Sequence, residues 1–305
     1  MKVGIIIVTY NSQKDIKRIL DSLTDQSYKD FIVYVIDNNS VDDTLKIVEL
    51  YQNEFSIHII RSKINNGYAK GNNIGILKAM EDGCEFVFIL NPDMKLEDKC
   101  IEILFKRIIS DEKIGVVGPI VVYGNRPDNI IQGFGVDLDF RTLKRKYPFS
   151  ERRLSDEIPS ERYTGYAHGG AMMIRCSVLK FTGLFEEDYF MYKDEIDISY
   201  RINKAGFKIL CISNAIAWHF HNFDKMNKKG YNLIYYYGIR NKYLYFKKYN
   251  FYSNLFFSLI KDIFIFPVKL RWAHKLGNIK LLKFYYLGVL DGLLGKKGFS
   301  NKSFN

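Results

Sequence analysis

Short apolar segments alternate with segments of helical periodicity near the start of the chain, and this alternation constrains the fold more than any other feature. The apolar segments cover residues 3–8, 32–36, 57–60 and 86–90. Between them, apolar residues recur with the spacing of amphipathic helices. Strands that are apolar on both faces are typical of parallel sheets covered by helices on both sides. The sequence therefore predicts an α/β fold with a mostly parallel sheet and helices on both faces.

The cysteines and the first residues indicate a cytoplasmic protein. Cys84, Cys100, Cys176 and Cys211 are scattered without a Cys-x-x-Cys pair, so we expect reduced core thiols and no zinc site. The apolar segment at residues 3–8 is too short for a signal peptide and lacks a small-residue cleavage site. We therefore interpret it as the first buried strand.

Positive charge is concentrated at the C-terminal end of the chain. From Asp224 onward there are 16 Lys and Arg residues against 3 Asp and Glu residues, whereas the preceding part has 29 against 31. The aromatic content also rises there and the alternation typical of strands is lost. This change predicts two regions: residues 1–225, which contain the sheet, and residues 226–305, a basic, aromatic and helical region.

Residues 251–270 have the apolar character of a transmembrane helix, but Lys261 and Asp262 interrupt them and Pro267 follows. A span needs roughly 20 predominantly apolar residues, and charges near its centre cost about 3 kcal/mol each. Aromatic residues mixed with Lys and Arg instead favour helices that lie in the interface of an anionic membrane. The alternative is a helical appendage that packs its apolar face on the first region.

Polar residues follow the ends of three predicted strands. Thr9, Tyr10 and Asn11 follow the first strand, Asp37 ends the second, and Asp93 follows residues 86–90. Open α/β sheets bind ligands outside the carboxyl ends of their strands. A carboxylate at the position of Asp37 can accept hydrogen bonds from a base or a ribose. The alternatives are an Asx turn at Asp37 and an acid near a helix N-terminus at Asp93.

Three glycines, Gly67, Gly71 and Gly75, recur at intervals of four residues. The spacing differs from the dinucleotide-binding G-x-G-x-x-G pattern and from a P-loop. On a helix these glycines share one face, which allows close approach of a neighbouring backbone or of a ligand. Tight packing of a helix on a strand would explain them equally.

The most acidic segment contains Asp194, Glu195 and Asp197. If a helix begins at Lys193, the three acids lie in its first turn, where the helix dipole favours negative charge. Asp197 and Arg201 are then four residues apart and are expected to form an ion pair. Asp194 and Glu195 remain as a candidate pair for general-base catalysis.

His219 and His221 are two residues apart and therefore share one face of a strand. Beside Asp93, one of them could bind a metal ion. The alternative is an ordinary polar face of the sheet.

Taken in chain order, these segments resemble the family 2 glycosyltransferases, which are enzymes of the GT-A fold. The resemblance covers roughly residues 3–221. The segment LNPD, the FMY before the acidic pair and the C-terminal YYYGIRNKYLYFKKY and LDGLLGKKG are similar to the rhamnosyltransferase branch. The other matching segments are IIIVTYNS, VIDNNSVDDT, NNGYAKGNN, GGAMMIR, TGLFEEDYFMYKDEIDISYRINKAGF and AWHFH.

The resemblance implies a role for each matching residue. Asp93 matches the last acid of the D-x-D motif and would hold Mg²⁺ or Mn²⁺ on a nucleotide diphosphate, assisted by His219. Glu195 matches the catalytic base, and Asp194 its neighbour toward the acceptor. The residues that match nucleotide-sugar-binding positions are Thr9, Tyr10, Asn11, Asp37, Asn38, Asn66, Gly67, Gly71, Asn72 and Asn91.

Two residues depart from the family pattern. Asn91 replaces the first acid of the D-x-D motif, so the protein offers one carboxylate where many relatives offer two. The usual Glu-Asp pair is reversed to Asp194-Glu195. The second position keeps a carboxylate, and its side chain is one methylene longer.

By resemblance, the expected function is that of an inverting glycosyltransferase in cell-surface polysaccharide synthesis. It would transfer L-rhamnose from dTDP-rhamnose to a saccharide or lipid-linked saccharide. We expect it to be cytoplasmic and peripheral on the inner face of the cell membrane. Two other classes are a non-catalytic nucleotide-binding partner subunit and a nucleic-acid-binding protein that uses the basic C-terminal region. Nucleic-acid binding leaves the acidic segment unexplained, so we expect no nucleic-acid partner.

Overall fold

The computed structural model describes residues 1–220 and 228–304. His221 and the predicted boundary between residues 225 and 226 lie outside the described residues. The strands are β1 (Val3–Thr9), β2 (Phe31–Asp37), β3 (Ile57–Arg61), β4 (Phe86–Leu90), β5 (Met94–Leu96), β6 (Ile114–Tyr123), β7 (Ile131–Gly133), β8 (Asp137–Asp139), β9 (Lys144–Lys146), β10 (Glu161–Tyr163), β11 (Ala171–Arg175) and β12 (Lys208–His219). The α-helices are α1 (Ile16–Thr24), α2 (Thr44–Glu49), α3 (Gly67–Glu81), α4 (Cys100–Ile109), α5 (Cys176–Thr182), α6 (Asp194–Lys204), α7 (Lys228–Lys248), α8 (Tyr252–Phe264), α9 (Phe266–Lys275) and α10 (Lys280–Leu293).

The described strands form a ten-stranded sheet and a separate hairpin of β8 and β9. The main path of the sheet runs β10-β12-β6-β11-β4-β1-β2-β3, with β5 paired to β12 and β7 paired to β6. Strands β1 to β4 are parallel to their neighbours among themselves, as are β6 and β12, while β11 runs antiparallel between β4 and β6. Strands β1, β2, β3, β4, β6 and β12 therefore share one direction, which confirms the predicted mostly parallel sheet.

Helices pack on both faces of this sheet. Successive residues of β1 point to opposite faces, and each set contacts different helices. Ile5 packs in one buried cluster with Ile19 of α1 and Leu104 of α4. Ile6 packs in the other cluster with Ile76 of α3. The predicted coverage of both faces is confirmed. Burial of these apolar side chains stabilises the sheet at roughly 25 cal/mol for each Å² removed from water.

The four cysteines are free and buried, as predicted for core thiols. Burial raises the pKa of the Cys211 thiol to about 12. A thiol with so high a pKa carries little thiolate and is a poor nucleophile.

The C-terminal region is helical, as predicted, and α7 packs directly on the sheet region. Leu244 and Tyr245 of α7 share a buried cluster with Tyr189 and with Ile196 of α6. Helix α10 lies close against α7, where a Cβ added at Gly288 would lie 2.7 Å from the carbonyl oxygen of Tyr236. Packing on the sheet region thus involves α7, whereas the alternative stated above concerns residues 251–270, which form α8 and α9.

Asp262, one of the two charged residues that interrupt the apolar segment 251–270, faces into the helical region. Asp262 of α8 is buried and accepts hydrogen bonds from Lys242 Nζ at 2.6 Å, Tyr243 Oη at 2.7 Å and Tyr285 Oη at 2.8 Å. These three donors attach α8 to α7 and α10. None of the helices described has the length and hydropathy needed to cross a membrane.

Candidate functional site

The carboxyl ends of β1, β2, β4, β6 and β12 lie along one rim of the sheet, because these strands share one direction. In the register of β1 and β2, Thr9 is the partner of Asp37. In the pairing of β5 with β12, His219 is the partner of Met94, which brings Asp93 beside His219. Predicted polar residues that are far apart in the sequence thus lie together at one edge of the sheet.

A cavity of about 720 Å³ opens at this rim. Four of the predicted site residues line it: Asn91, Asp194, Glu195 and His219. The remaining lining residues are Tyr68, Tyr123, Gln132, Gly133, Gly135, Val136, Arg145, Tyr147, Ser150, Tyr166, His168, Gly169, Gly170, Met191 and Tyr192. The cavity therefore joins the end of β4, the end of β12 and the start of α6.

Asp37 lies at the rim beside Thr9 and is engaged within the protein. Thr9 Oγ1 donates to Asp37 Oδ1 at 3.2 Å, and the backbone N–H of Ser40 donates to Asp37 Oδ2 at 3.0 Å. The bond to Ser40 is local, but it reaches three residues along the chain and not the two of the Asx turn that was the alternative. Each carboxylate oxygen can accept a second hydrogen bond, and nucleotide binding by Asp37 stays a prediction.

The side chain of Asn38 ties the end of β2 to the start of α3. Its Nδ2 donates to Gly67 O at 3.0 Å, and its Oδ1 accepts from the backbone N–H of Asn66 at 3.4 Å. Asn72 Nδ2 in turn donates to the carbonyl oxygen of Tyr68 at 2.9 Å. These contacts fix the loop that the family resemblance assigns to the nucleotide.

The end of β1 also reaches the loop that follows β2. The backbone N–H of Asn11 donates to Ser40 Oγ at 2.9 Å, and Asn11 Oδ1 accepts from the backbone N–H of Val41 at 2.9 Å. Tyr10 is exposed beside it. Nucleotide binding by Tyr10 and Asn11 stays a prediction.

The glycines of α3 make room for neighbouring elements. A Cβ added at Gly71 would lie 2.7 Å from Val8 Cγ1, and one at Gly75 would lie 2.5 Å from Ile6 Cγ2. Close packing of α3 on β1 therefore accounts for these two positions. Gly67 has a φ of +77°, and a Cβ there would lie 2.3 Å from the carbonyl oxygen of Phe190, so its position requires glycine.

Asp93 and His219 form the part of the site that could hold a cation. His219 Nε2 lies 3.3 Å from Asp93 Oδ2, and His219 Nδ1 lies 2.9 Å from Gln132 Oε1. Because the amide oxygen can only accept, Nδ1 donates the proton of this hydrogen bond, and Nε2 faces the carboxylate. An imidazole nitrogen and a carboxylate oxygen at this distance suit a proton or a cation between them.

In the part of the chain that the structure describes, no group of three or more His, Cys, Asp or Glu side chains could hold a metal ion. Asp93 and His219 would therefore supply few of the ligands themselves. Mg²⁺ is commonly bound through one or two carboxylates, substrate phosphates and water. The donor set fits a cation that arrives with a diphosphate.

Asp194 and Glu195 begin α6, where the helix dipole favours negative charge. Asp194 is buried, and in the described structure its Oδ2 has no hydrogen-bond partner. Burial and the neighbouring Glu195 raise the pKa of Asp194 well above its usual value. Asp194 therefore favours the protonated form, while Glu195 is the more accessible carboxyl group at the cavity.

The predicted ion pair in the same helix is confirmed. Arg201 Nη2 lies 2.8 Å from Asp197 Oδ2. Asp197 is also 2.8 Å from Lys248 Nζ of α7. Asp197 is thus a structural anchor, which leaves Asp194 and Glu195 as the acids available at the cavity.

Several cavity residues were missed by sequence reasoning. Arg145 lies on β9 in the segment between β6 and β11, where no periodicity or motif pointed to it. His168 precedes Gly169 and Gly170. Two consecutive glycines leave space for neighbouring side chains, and this signal in the sequence could have pointed to His168. A Cβ at Gly170 would lie 2.8 Å from Asn91 Nδ2. Burial and the nearby His219 lower the pKa of His168 to about 3, so its imidazole is neutral.

Curated proteins of known activity resemble this chain over most of its length. The low-salt glycan biosynthesis hexosyltransferase Agl10 of Haloferax volcanii is 28% identical over 212 residues, 68% of this chain and 63% of that protein. An N-acetylglucosaminyl-diphospho-decaprenol L-rhamnosyltransferase of Mycobacterium tuberculosis is 26% identical, over 70% of this chain and 75% of that protein. Rhamnosyltransferase WbbL of Escherichia coli K12 is 25% identical, over 86% of this chain and 99% of that protein.

Solved structures show the same fold at low sequence identity. TarS 1–349 of S. aureus matches with a TM-score of 0.56 and 20% identity, over 80% of this chain and 65% of that chain. GalNAc-T7 with UDP, GalNAc and Mn²⁺ matches with a TM-score of 0.64 and 18% identity, over 81% of this chain and 48% of that chain. The chain thus spans less than two thirds of the haloarchaeal relative and of these two structures. These likenesses confirm the predicted fold class.

The family model described as Glycosyl transferase family 2 matches residues 4–181. This range contains β1 to β4, the rim residues Thr9, Asp37 and Asp93, and most of α5. It covers more than half of the chain, and the chain therefore belongs to the family 2 glycosyltransferases.

Proposed function

We propose that this protein is an inverting glycosyltransferase that transfers L-rhamnose from dTDP-rhamnose to a saccharide or lipid-linked saccharide in cell-surface polysaccharide synthesis. The observation that carries the proposal is the cavity in which Asp194 and Glu195 meet the strand ends that bear Asn91 and His219. The rhamnosyltransferases among the relatives support the choice of donor. Membership of the family supports the reaction class.

In the proposed reaction Glu195 acts as the general base. Its carboxylate takes the proton of an acceptor hydroxyl while that oxygen forms a bond to the anomeric carbon. The bond from the anomeric carbon to the diphosphate oxygen breaks, and the nucleoside diphosphate leaves with the electron pair. Attack from the side opposite the leaving group inverts the configuration of the anomeric carbon.

Asp194 has a different task from Glu195 in this proposal. It is buried and its pKa is raised by burial and by Glu195, so it holds its proton rather than accepting one. A neutral Asp194 avoids a second negative charge beside Glu195. Glu195 is then the carboxylate that receives the acceptor's proton.

Asp93 and His219 would hold Mg²⁺ or Mn²⁺ at the donor diphosphate. When bound, the cation neutralises the negative charge that develops on the leaving diphosphate. The residues of this chain have a separate role, since Gln132 keeps the proton on His219 Nδ1 and so directs Nε2 toward Asp93. Such a partner fixes the tautomer and the ring orientation of a metal-binding histidine.

Thermal unfolding with a panel of nucleotide sugars and Mg²⁺ tests the proposed donor. We expect dTDP-rhamnose to raise the Tm most, because the proposed donor should bind the folded protein most tightly. A ligand at 100 times its Kd stabilises the folded state by about 2.7 kcal/mol. UDP-N-acetylglucosamine and GDP-mannose serve as controls. A larger rise with one of these would contradict the donor, and no rise with any nucleotide sugar would contradict the reaction class.

We also propose that α8 and α9 dock on the anionic inner face of the cell membrane. Asp262 of α8 and Ala273 of α9 are buried toward the rest of the helical region. The outward side of the two helices, here called the aromatic-basic face, carries exposed apolar side chains beside exposed lysines and arginines. Its members are Phe256, Phe257, Lys261, Ile263, Phe264, Val268, Leu270, Arg271 and Lys275.

The chemistry of the aromatic-basic face favours a lipid surface. Apolar groups of an interfacial helix enter the boundary between headgroups and acyl chains, while each basic residue near an anionic leaflet contributes about 1 kcal/mol. A lipid-linked acceptor would lie on the same surface. Docking through α8 and α9 would therefore bring the enzyme and its acceptor together.

Flotation with vesicles that contain phosphatidylglycerol tests this docking. We expect the wild-type protein to float at low salt and to be released in large part by high salt, because screening weakens the charge attraction. The double variant Phe256→Ser and Phe257→Ser should float much less. The matched control is Phe181→Ser, since Phe181 of α5 is more exposed than either phenylalanine but lies outside the aromatic-basic face.

Wild-type protein that stays at the bottom of the gradient at low salt would contradict membrane docking. An equal loss of flotation in the Phe181→Ser variant would contradict the assignment to α8 and α9. Point substitutions suit this test better than truncation near residue 230, because truncation also removes the packing of α7 on α6.

A further inference from the structure

The segment that leads into α6 has an unusual backbone. Phe190, Tyr192 and Lys193 have φ angles of 64°, 65° and 75°, in the left-handed region that bulky residues rarely adopt. Asp194 and Glu195 follow at once. A backbone in this region persists only when its surroundings hold it. The orientation of the two acids therefore depends on whatever holds residues 188–193, here called the 188–193 segment.

Asn241 of α7 makes the central contacts with this segment. Its Nδ2 lies within hydrogen-bond distance of three carbonyl oxygens, those of Tyr189 at 2.9 Å, Met191 at 2.7 Å and Tyr192 at 2.9 Å. Asn241 itself is fully buried. The side-chain amide of Asn241 thus contacts three carbonyl oxygens that come shortly before Asp194 and Glu195 in the chain.

Arg240 supports the same contacts from the neighbouring position. Its Nη2 donates to Tyr189 O at 2.9 Å and to Asp188 O at 3.3 Å. Its Nε donates to Asn241 Oδ1 at 2.9 Å, which fixes the orientation of the Asn241 amide. Arg240 is 1% exposed, so these charge-assisted bonds are shielded from water.

The other side of the segment contacts α3. The backbone N–H of Tyr68 donates to Phe190 O at 2.8 Å. Gly67 lies directly against Phe190, so a Cβ at Gly67 would clash with it. The 188–193 segment therefore bridges α7 and the start of α3, which the family resemblance assigns to the nucleotide.

We propose that Asn241, oriented by Arg240, is a positioning residue that sets the direction of Glu195 in the cavity. The inference rests on the proposed function, because it assigns a role in the step that Glu195 performs. The carbonyls of residues 191 and 192 come just before Lys193, the residue that precedes α6, so releasing them lets the start of the helix turn. A shift of about 1 Å in a catalytic group costs about 10²-fold in rate. The part of α7 around Asn241 then positions the start of α6, in addition to its place in the helical region.

The variant Asn241→Asp separates hydrogen-bond donation from packing. Aspartate keeps the volume of the side chain and the oxygen that accepts from Arg240 Nε, but it loses both N–H donors and repels the three carbonyl oxygens. The matched control is Asn232→Asp on the same helix. Asn232 is also fully buried and precedes Asn241 by about 13 Å along the helix; it donates to Phe304 O at 3.0 Å and not to the carbonyl oxygens of the 188–193 segment.

Two measurements are made on the full-length wild type and both variants. Hydrogen exchange followed by mass spectrometry reports the protection of residues 189–195, and steady-state kinetics report kcat and the KM of the donor. For Asn241→Asp we expect faster exchange in residues 189–195 and a kcat lowered by about 10²-fold, with the donor KM changed little. For Asn232→Asp we expect faster exchange near the C-terminus and an unchanged kcat.

Equal kcat values in the two variants, or unchanged exchange in residues 189–195 of Asn241→Asp, would overturn the positioning role. A wild-type protein without transfer activity would contradict the proposed function instead. The exchange comparison would then still decide whether Asn241 holds the 188–193 segment.

Discussion

Replacing Glu195 by glutamine is expected to lower kcat by about 10²–10⁴-fold, the usual range for loss of a positioned general base. Glutamine has nearly the same size but cannot take the proton of the acceptor hydroxyl. Donor binding should survive, because the predicted nucleotide-binding residues lie on β1, β2, α3 and the turn after β4. Steady-state kinetics with a saturating acceptor measure this effect.

Asp194→Asn is the matched variant for this prediction, since it changes the neighbouring acid in the same helical turn. Asp194 favours its protonated form because burial and Glu195 raise its pKa. Replacing a neutral carboxyl group by an amide preserves the charge of the site, so we expect the smaller loss of kcat here. The larger loss in Asp194→Asn would move the base by one residue.

Asp93→Asn is expected to lower kcat/KM by orders of magnitude while the fold is retained. Asp93 is the carboxylate beside His219 at the end of β4, and Asn91 offers no second charge there. An amide in place of Asp93 removes the charged ligand that a hard cation prefers. Excess EDTA should abolish activity in the wild type, and added Mg²⁺ or Mn²⁺ should restore it.

Asp82→Asn provides a control for the general cost of removing an aspartate beside a histidine. Asp82 follows α3, and its Oδ2 lies 4.0 Å from His58 Nδ1. This pair does not line the cavity. We expect the Asp82 variant to keep its metal-dependent activity. Full wild-type activity in excess EDTA would rule out the metal requirement.

The sheet region was predictable because its signals are local. The apolar segments of β1 to β4 follow directly from residue type, and their shared direction follows from the helices between them. The ion pair of Asp197 and Arg201 followed from a spacing of four residues in a helix. Neighbouring residues in the sequence determine whether a segment forms a strand or a helix and which of its residues share a face. A single sequence is therefore enough to predict these features.

The cavity residues that lie between β6 and β11 in the sequence were not predictable in the same way. Gln132, Arg145 and Tyr166 come from the stretch between β6 and β11, where strands are short and no periodic pattern exists. Gln132 lies on β7, which pairs with β6 of the sheet, whereas Arg145 lies on the separate hairpin of β8 and β9. Contacts of this kind are specified by the tertiary fold and not by adjacent residues.

The C-terminal region shows what charge counting leaves out. Arg240 contributes to the positive balance of this region, yet it is buried and binds backbone carbonyl oxygens. Asp262 interrupts an apolar segment, yet it is satisfied by three donors within the helical region. A sequence reveals that a charge is present, but its burial and its partners depend on how the helices pack.

The most direct test of the proposed chemistry compares binding and turnover in the same preparations of wild type and Glu195→Gln. Calorimetry gives the Kd of dTDP-rhamnose with Mg²⁺, and a transfer assay gives the rate at which nucleoside diphosphate is released in the presence of acceptor. We expect nearly equal Kd values and a release rate lower by about 10²–10⁴-fold in the variant. Equal release rates in the two proteins would contradict a catalytic role for Glu195 in this cavity.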